Sequence, residues 1–349
     1  MKPHLLSLLL TPALLLGACA ADPPVAVQPL PKVEPQTPGT LALSTPALGL
    51  DRPAGELVFS GVVKGGLSED GSAPAPSTPR SFTLSNPGPG STTVTGLTLS
   101  GADADAFSWT PPTLPFTLGS GQSKTFSLTF APQDKLGGLH ASLQISTAAG
   151  PGAKLDLYGL SAKGEQGSNE PPLQSIAATL GYGVDVGTKD LLLGTGSQLQ
   201  GDEVSAGLFR KSGTASVRLL PVARYSPAGP APYGYFTLSG DQPQQHELAS
   251  VSESQDQTLY PALSGSVSFD PGDQNFGLYS DKNSYATEPD FTLDRLNRGP
   301  ISHPFRVYPL KDRAGQAVPG YLLALESNKN GDYQDAVFVL TGAVAVSQP

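Results

Sequence analysis

Ten residues near the C-terminal end, Glu326-Ser-Asn328-Lys-Asn330-Gly331-Asp332-Tyr-Gln-Asp335, place oxygen-bearing side chains at nearly alternate positions between two apolar runs. A hard cation such as Ca2+ takes six to eight oxygens from a sharply turning loop, so Glu326, Asn328, Asn330, Asp332 and Asp335 are its candidate ligands. The spacing departs from the helical calcium loop, which starts on Asp and ends on Glu at its twelfth position; here those positions hold Glu326 and Val337. The competing reading is a hairpin turning at Asn330-Gly331, with the acids solvated or capping backbone amides. Asp270, Asp273, Asn275, Asp281 and Asn283 form a second, sparser oxygen-rich stretch.

Aromatic side chains suggest another kind of site. Ten of the eleven tyrosines lie between residues 182 and 333, and Tyr233 and Tyr235 would share one face of a strand. Such a pair could stack on sugar rings while its phenols stay wet, or it could simply pack a half-buried strand. Trp109, beside Phe107, reads as core. Catalytic motifs are scarce: there is no Gly-x-Ser-x-Gly, no His-Glu-x-x-His, no phosphate loop and no dinucleotide fingerprint. His140, His246 and His303 each stand alone, and the arginines around His303 (Arg295, Arg298, Arg306, Arg313) are interleaved with Asp290, Asp294 and Asp312. The expectation is therefore a protein that is not an enzyme, with a carboxylate-pair glycosidase as the enzymatic alternative.

Cys19 is the one cysteine in 349 residues. Before it come a lysine, two leucine-rich runs too short to span a bilayer, and small residues, which together form a secretory signal over residues 1–18. Leu16-Gly17-Ala18-Cys19 resembles the lipobox of bacterial lipoproteins. That resemblance implies cleavage before Cys19 and acylation of its thiol, typically with palmitate among the chains. Each buried CH2 contributes about 0.8 kcal/mol to membrane attachment. Ala20, in place of Asp, favours the outer membrane or cell surface over the inner membrane, by analogy with enterobacterial sorting.

Residues 19–40 carry a proline every few positions and read as a lipidated, Pro-rich stalk of roughly 60 Å. Gly and Pro together exceed a fifth of the chain but are spread among apolar runs, which indicates many short strands joined by turns. The net charge of −9, without a Lys/Arg cluster, argues against nucleic acid as a partner. The membrane, through the lipid, and an envelope protein or glycan are the partners expected.

Residues 41–164 show period-two runs such as Phe82/Leu84, Phe126/Leu128, Ala141/Leu143/Ile145 and Leu155/Leu157, each closed by a turn signal. Ser81–Gly88, Val94–Gly101, Ala104–Phe107, Gly119–Ser123, Phe126–Pro132 and Leu155–Gly159 follow an order that resembles the immunoglobulin-like ASH and choice-of-anchor modules. The resemblance implies a scaffold or interaction module, with a Gly/Ser/Pro insertion at residues 64–79 as its departure. Residues 165–172 read as a linker. Residues 173–349 read as a second β-sandwich or jelly roll, whose Asp332-Tyr-Gln-Asp335 and following strand resemble a C-terminal element of secreted bacterial β-domains. The whole is expected to be all-β: an immunoglobulin-like sandwich, then a Tyr-rich one. The function expected is a non-enzymatic cell-envelope lipoprotein displaying binding or scaffold modules, with carbohydrate binding or processing by residues 173–349 as the alternative.

Overall fold

Alternating side chains dictate the first layer pair. In the strand Arg80–Ser85, Phe82 and Leu84 point one way and are buried, while their neighbours face solvent. The same alternation recurs in Ser123–Phe130 and Gly137–Thr147. Each buried Leu or Phe contributes about 2 kcal/mol relative to exposure, enough to fix the register of every such strand. The computed structural model describes residues 39–46, 55–68, 70–165, 167–187, 198–255, 257–283, 286–327 and 330–346. Cys19 and most of the Pro-rich segment lie outside them.

Two sheets face each other in the first sandwich. One has the order Ala42–Ser44, Arg80–Ser85, Ser123–Phe130, Phe107–Trp109. The other runs Glu56–Val62, Gly150–Ala162, Gly137–Thr147, Thr92–Ser100, Phe116–Leu118, with its first two strands parallel. Phe59, Phe82, Phe107, Phe126 and Phe130 fill the space between, and Trp109 packs against Phe82 and Phe126 as expected of a core residue. Asn86 is fully buried yet satisfied: its Oδ1 accepts from the amides of Thr40 and Gly88, and its Nδ2 donates to Gly90 and Leu118 carbonyls. This is why Asn-Pro-Gly ends that strand.

The second sandwich pairs an outer sheet with an inner one. The outer order is Leu263–Gly265, Gln242–Val251, Ala231–Ser239, Phe276–Ser280, Phe209–Lys211, Ala343–Ala345. The inner order is Gln257–Leu259, Val217–Tyr225, Ala336–Thr341, Ala317–Leu325, Phe305–Lys311. Phe209, Tyr233, Phe276, Leu323 and Phe338 pack between the two. The opposite face of the inner sheet, with Val222, Tyr308, Leu322 and Val339, is covered by Ile176 and Leu180 and by Val58 and Leu160 of the first sandwich. Burial on both faces explains the unbroken apolar run Ala336–Leu340, which alternation alone would not produce.

Among the described residues the fold is all-β, as expected, with helix at 6%. The segment read as a linker, 165–172, leads directly into a buried helix, Leu173–Thr179, inserted beside the inner sheet. Glu170 accepts hydrogen bonds from Gln257 Nε2 (2.6 Å) and Gln334 Nε2 (3.0 Å), and Ser60 Oγ lies 3.0 Å from Thr258 Oγ1. The two sandwiches thus share one apolar core and a polar seam within a single compact unit.

Candidate functional site

The strands Ala317–Leu325 and Ala336–Thr341 pair up to Leu325 opposite Ala336, so residues 326–335 form the hairpin loop. Glu326 is fully buried at its start, and its Oε2 accepts the amide N–H groups of Asp332 (3.0 Å) and Tyr333 (3.1 Å). Those bonds hold Tyr333 at φ 53°, a left-handed backbone that a bulky side chain seldom adopts. Asp335 Oδ2 accepts the Ser327 amide (2.7 Å), and Asp290 Oδ2 accepts the Ser327 hydroxyl (2.8 Å). Asp332 Oδ2 accepts from Asn330 Nδ2 and Gln334 Nε2. Burial pushes Asp335 up to about 8 and Asp290 to about 6, against the lowering effect of those Ser327 hydrogen bonds, and it raises Asp332 as well.

The loop therefore gathers four of the five expected calcium ligands, but it turns Glu326 and Asp335 onto backbone amides. Among the described residues no three His, Cys, Asp or Glu side chains are grouped so that they could hold a metal ion. Asn328 lies outside the described residues. In the second oxygen-rich stretch, Asp270 pairs with Lys211 (2.7 Å) and caps Gly272, while Asn283 Oδ1 accepts from the amide of Ala286.

Tyr233 and Tyr235 share a face, but that face is the interior. Tyr233 is buried against Phe338, ring centroids 5.1 Å apart. Tyr235 stacks on Phe269 (4.3 Å) and on His246 (4.6 Å). Of the two readings open for the pair, strand packing fits these contacts and sugar stacking does not, because neither ring offers the open face that stacking requires.

His303 gains a setting that its sequence neighbours did not suggest. Its Nδ1 lies 2.9 Å from Asp294, its Nε2 lies 3.0 Å from Glu203, and Glu203 also pairs with the buried Arg306. Arg306 in turn lies over the Tyr333 ring, whose hydroxyl donates to the His303 carbonyl (2.7 Å). Burial by itself would lower the imidazole pKa, but Asp294 and Glu203 together outweigh it and raise it to about 9. Both ring nitrogens are thereby engaged by carboxylates, the arrangement of a structural imidazolium and not of a general base.

At the seam, Arg313 from the turn after Phe305–Lys311 reaches the first sandwich. Its guanidinium lies 3.6 Å from the centroid of Tyr158 and 3.5 Å from Glu56, and it donates to the Ala178 carbonyl (2.9 Å) at the end of the helix. His140 stacks on Tyr158 at 4.7 Å. Asp156 accepts from Ser142 Oγ (2.7 Å) and lies 3.2 Å from His140 Nε2. The carboxylate stands between serine and histidine there, whereas a serine nucleophile needs the imidazole in the middle.

No protein-family model and no curated protein matches the chain. Among solved structures it is similar to the VesB protease of Vibrio cholerae, at 18% identity and a TM-score of 0.21, over 34% of this chain and 31% of that one. It is also similar to the secreted serine protease VesC of Vibrio cholerae, at 12% identity and a TM-score of 0.23, over 82% of this chain and 49% of that one. The chain thus spans about a third and about half of those two proteins. Both of these neighbours are proteases, which stands against the expectation of a non-enzymatic protein displaying binding or scaffold modules and against its carbohydrate alternative. At such low scores the likeness assigns neither an activity nor a residue to this chain. No helix among the described residues is long and apolar enough to cross a membrane.

Proposed function

We propose that this chain is a lipid-anchored protein of the cell envelope, held through acylated Cys19 at the outer membrane or cell surface. One observation carries the reading: the only cysteine in the chain falls directly after Leu16-Gly17-Ala18, behind a short apolar run. A single acyl chain binds a bilayer only marginally, so lasting attachment requires the two or three chains that a lipoprotein cysteine receives. The Pro-rich residues up to 40 then act as a spacer between the membrane and the two sandwiches. The order of the strand and turn segments between Ser81 and Gly159 in the sequence supports reading the first sandwich as an ASH-like module.

The test is metabolic labelling with a palmitate analogue in a bacterial host that processes lipoproteins. The wild-type chain takes up label and fractionates with the outer membrane. Cys19→Ser is unlabelled and is not retained there. An unlabelled wild-type protein overturns the reading.

A further inference from the structure

Asn330 is the one asparagine of the chain that precedes a glycine, and it lies exposed in the 326–335 loop. An Asn-Gly pair is chemically reactive: the glycine nitrogen attacks the carboxamide carbon, and no Cβ stands in its path. Hydrogen bonds to that nitrogen decide whether a fold suppresses the attack. The amides of Asp332 and Tyr333 are both held by Glu326. The Gly331 N–H, between them and Asn330, makes no hydrogen bond among the described residues. The Asn330 carboxamide is tethered at one atom, Nδ2, which donates to Asp332 Oδ2 at 2.6 Å. Other asparagines are held more firmly. Asn86 is buried, bonded through both side-chain atoms, and followed by a proline, which has no N–H. Asn297 accepts from the Phe291 amide and donates to the Phe291 carbonyl.

We propose that Asn330 is a site of spontaneous modification, an asparagine that this loop leaves open to deamidation and whose product unlocks the loop. The Gly331 nitrogen forms a bond to Asn330 Cγ, the Cγ–Nδ2 bond breaks, and ammonia leaves with the amide proton. Water then adds across one of the two imide C–N bonds. Opening at Cγ gives aspartate; opening at the main-chain carbonyl gives isoaspartate, which lengthens the backbone by one carbon. Either product replaces the donor that now faces Asp332 Oδ2 with a carboxylate. Like charges are then set against each other in a loop that already buries the carboxyls of Glu326 and Asp335. Their repulsion draws Asp332 away and strains the bond that its amide makes to Glu326. Water is the one co-reactant, and the reaction does not depend on the lipid anchor.

Incubation of the full chain for several weeks in mildly alkaline buffer, followed by peptide mapping, tests the assignment. Asn330 gains the mass difference between NH and oxygen, and isoaspartate appears there, while Asn275, which is also exposed, keeps its mass. The folded chain converts at a rate within an order of magnitude of the urea-unfolded chain, because the fold leaves the Gly331 N–H free. The converted fraction, separated by its added negative charge, melts several degrees below the unconverted one. Asn330→Asp melts lower in the same way. Asn330→Gln, whose longer side chain closes a less favourable six-membered ring, keeps its mass and its melting temperature over the same incubation. Slowing of the reaction by more than an order of magnitude in the folded chain overturns the proposal. So does a converted fraction that melts together with the unconverted protein.

Discussion

Arg313 lies over the ring of Tyr158, its guanidinium carbon 3.6 Å from the ring centroid, and so ties a turn of the second sandwich to a strand of the first. The same guanidinium holds the Ala178 carbonyl at the C-terminal end of the Leu173–Thr179 helix. One side chain therefore fastens three elements: the turn, the helix end and the strand Gly150–Ala162. A cation over an aromatic face contributes about 0.5–2 kcal/mol, and a charged donor to a carbonyl adds about as much.

Arg313→Ala should lower the unfolding free energy by about 1–3 kcal/mol in urea denaturation, since the group is only about one-third exposed. Arg313→Lys should recover little of the loss, because a compact ammonium cannot sit over the ring and reach the helix carbonyl and Glu56 at once. Equal stability of all three proteins would show that the seam does not depend on this contact.

His303 makes stability depend on pH. Its folded pKa of about 9 exceeds the ordinary imidazole value of 6.5, so the folded state binds its proton more tightly than the unfolded chain does. The stabilisation is fully present below about pH 6.5 and is lost as pH rises through about 9. Melting temperature recorded from pH 6 to 10 should fall across that window in the wild-type protein. His303→Gln should be less stable at pH 6 and should show a flatter fall. An unchanged slope in the variant would assign the pH dependence to another group.

Asp335 adds to the same trend from the opposite chemistry. Burial raises its carboxyl from 3.8 to about 8, so the folded state again binds the proton more tightly. Its contribution favours the fold at low pH and is lost as pH climbs from about 4 through about 8. Asp335→Asn keeps an oxygen for the Ser327 amide and removes the buried charge. That variant should melt higher than the wild type at pH 8.5, while at pH 5 the two should lie close together. A lower melting temperature at pH 8.5 would mean that the charged carboxylate is needed where it stands.

Much of this architecture is legible in the sequence, for a physical reason. Strands buried on one face must alternate, so Phe82/Leu84 and Phe126/Leu128 announced themselves, and turn residues such as Asn86-Pro87-Gly88 marked where they end. The strand Gln242–Val251 gave no such signal: its first half is exposed or half-buried, and it is held by backbone pairing to Ala231–Ser239. The helix Leu173–Thr179 is two turns long, too short for an apolar period to emerge. The site residues were harder still. His303 and Glu203 meet across a hundred positions of sequence, and Arg313 finds Tyr158 only once both sandwiches have formed. The tyrosine pair shows why two readings stayed open: Tyr233 and Tyr235 do share a face, yet nothing in their spacing distinguishes an interior face from a wet one.

Glu326 offers the sharpest test of the 326–335 loop. Its carboxylate is the acceptor for two amides that have turned away from the sheet, and Tyr333 sits in a left-handed conformation between them and the strand that follows. Glu326→Ala removes that acceptor from a fully buried position, so the Asp332 and Tyr333 amides lose it in an environment with little water. An orphaned buried donor costs about 1–3 kcal/mol, and two cost more. Glu326→Gln retains one acceptor oxygen and should lose less than Glu326→Ala in chemical denaturation. Calcium separates this role from ion binding. If the carboxylate serves the backbone, millimolar Ca2+ and EDTA leave the wild-type melting temperature at one value. A calcium-dependent rise that disappears in Asp332→Asn would instead show the loop re-forming around a cation, because a ligand bound only by the folded state at a hundredfold excess over its Kd adds about 2.7 kcal/mol.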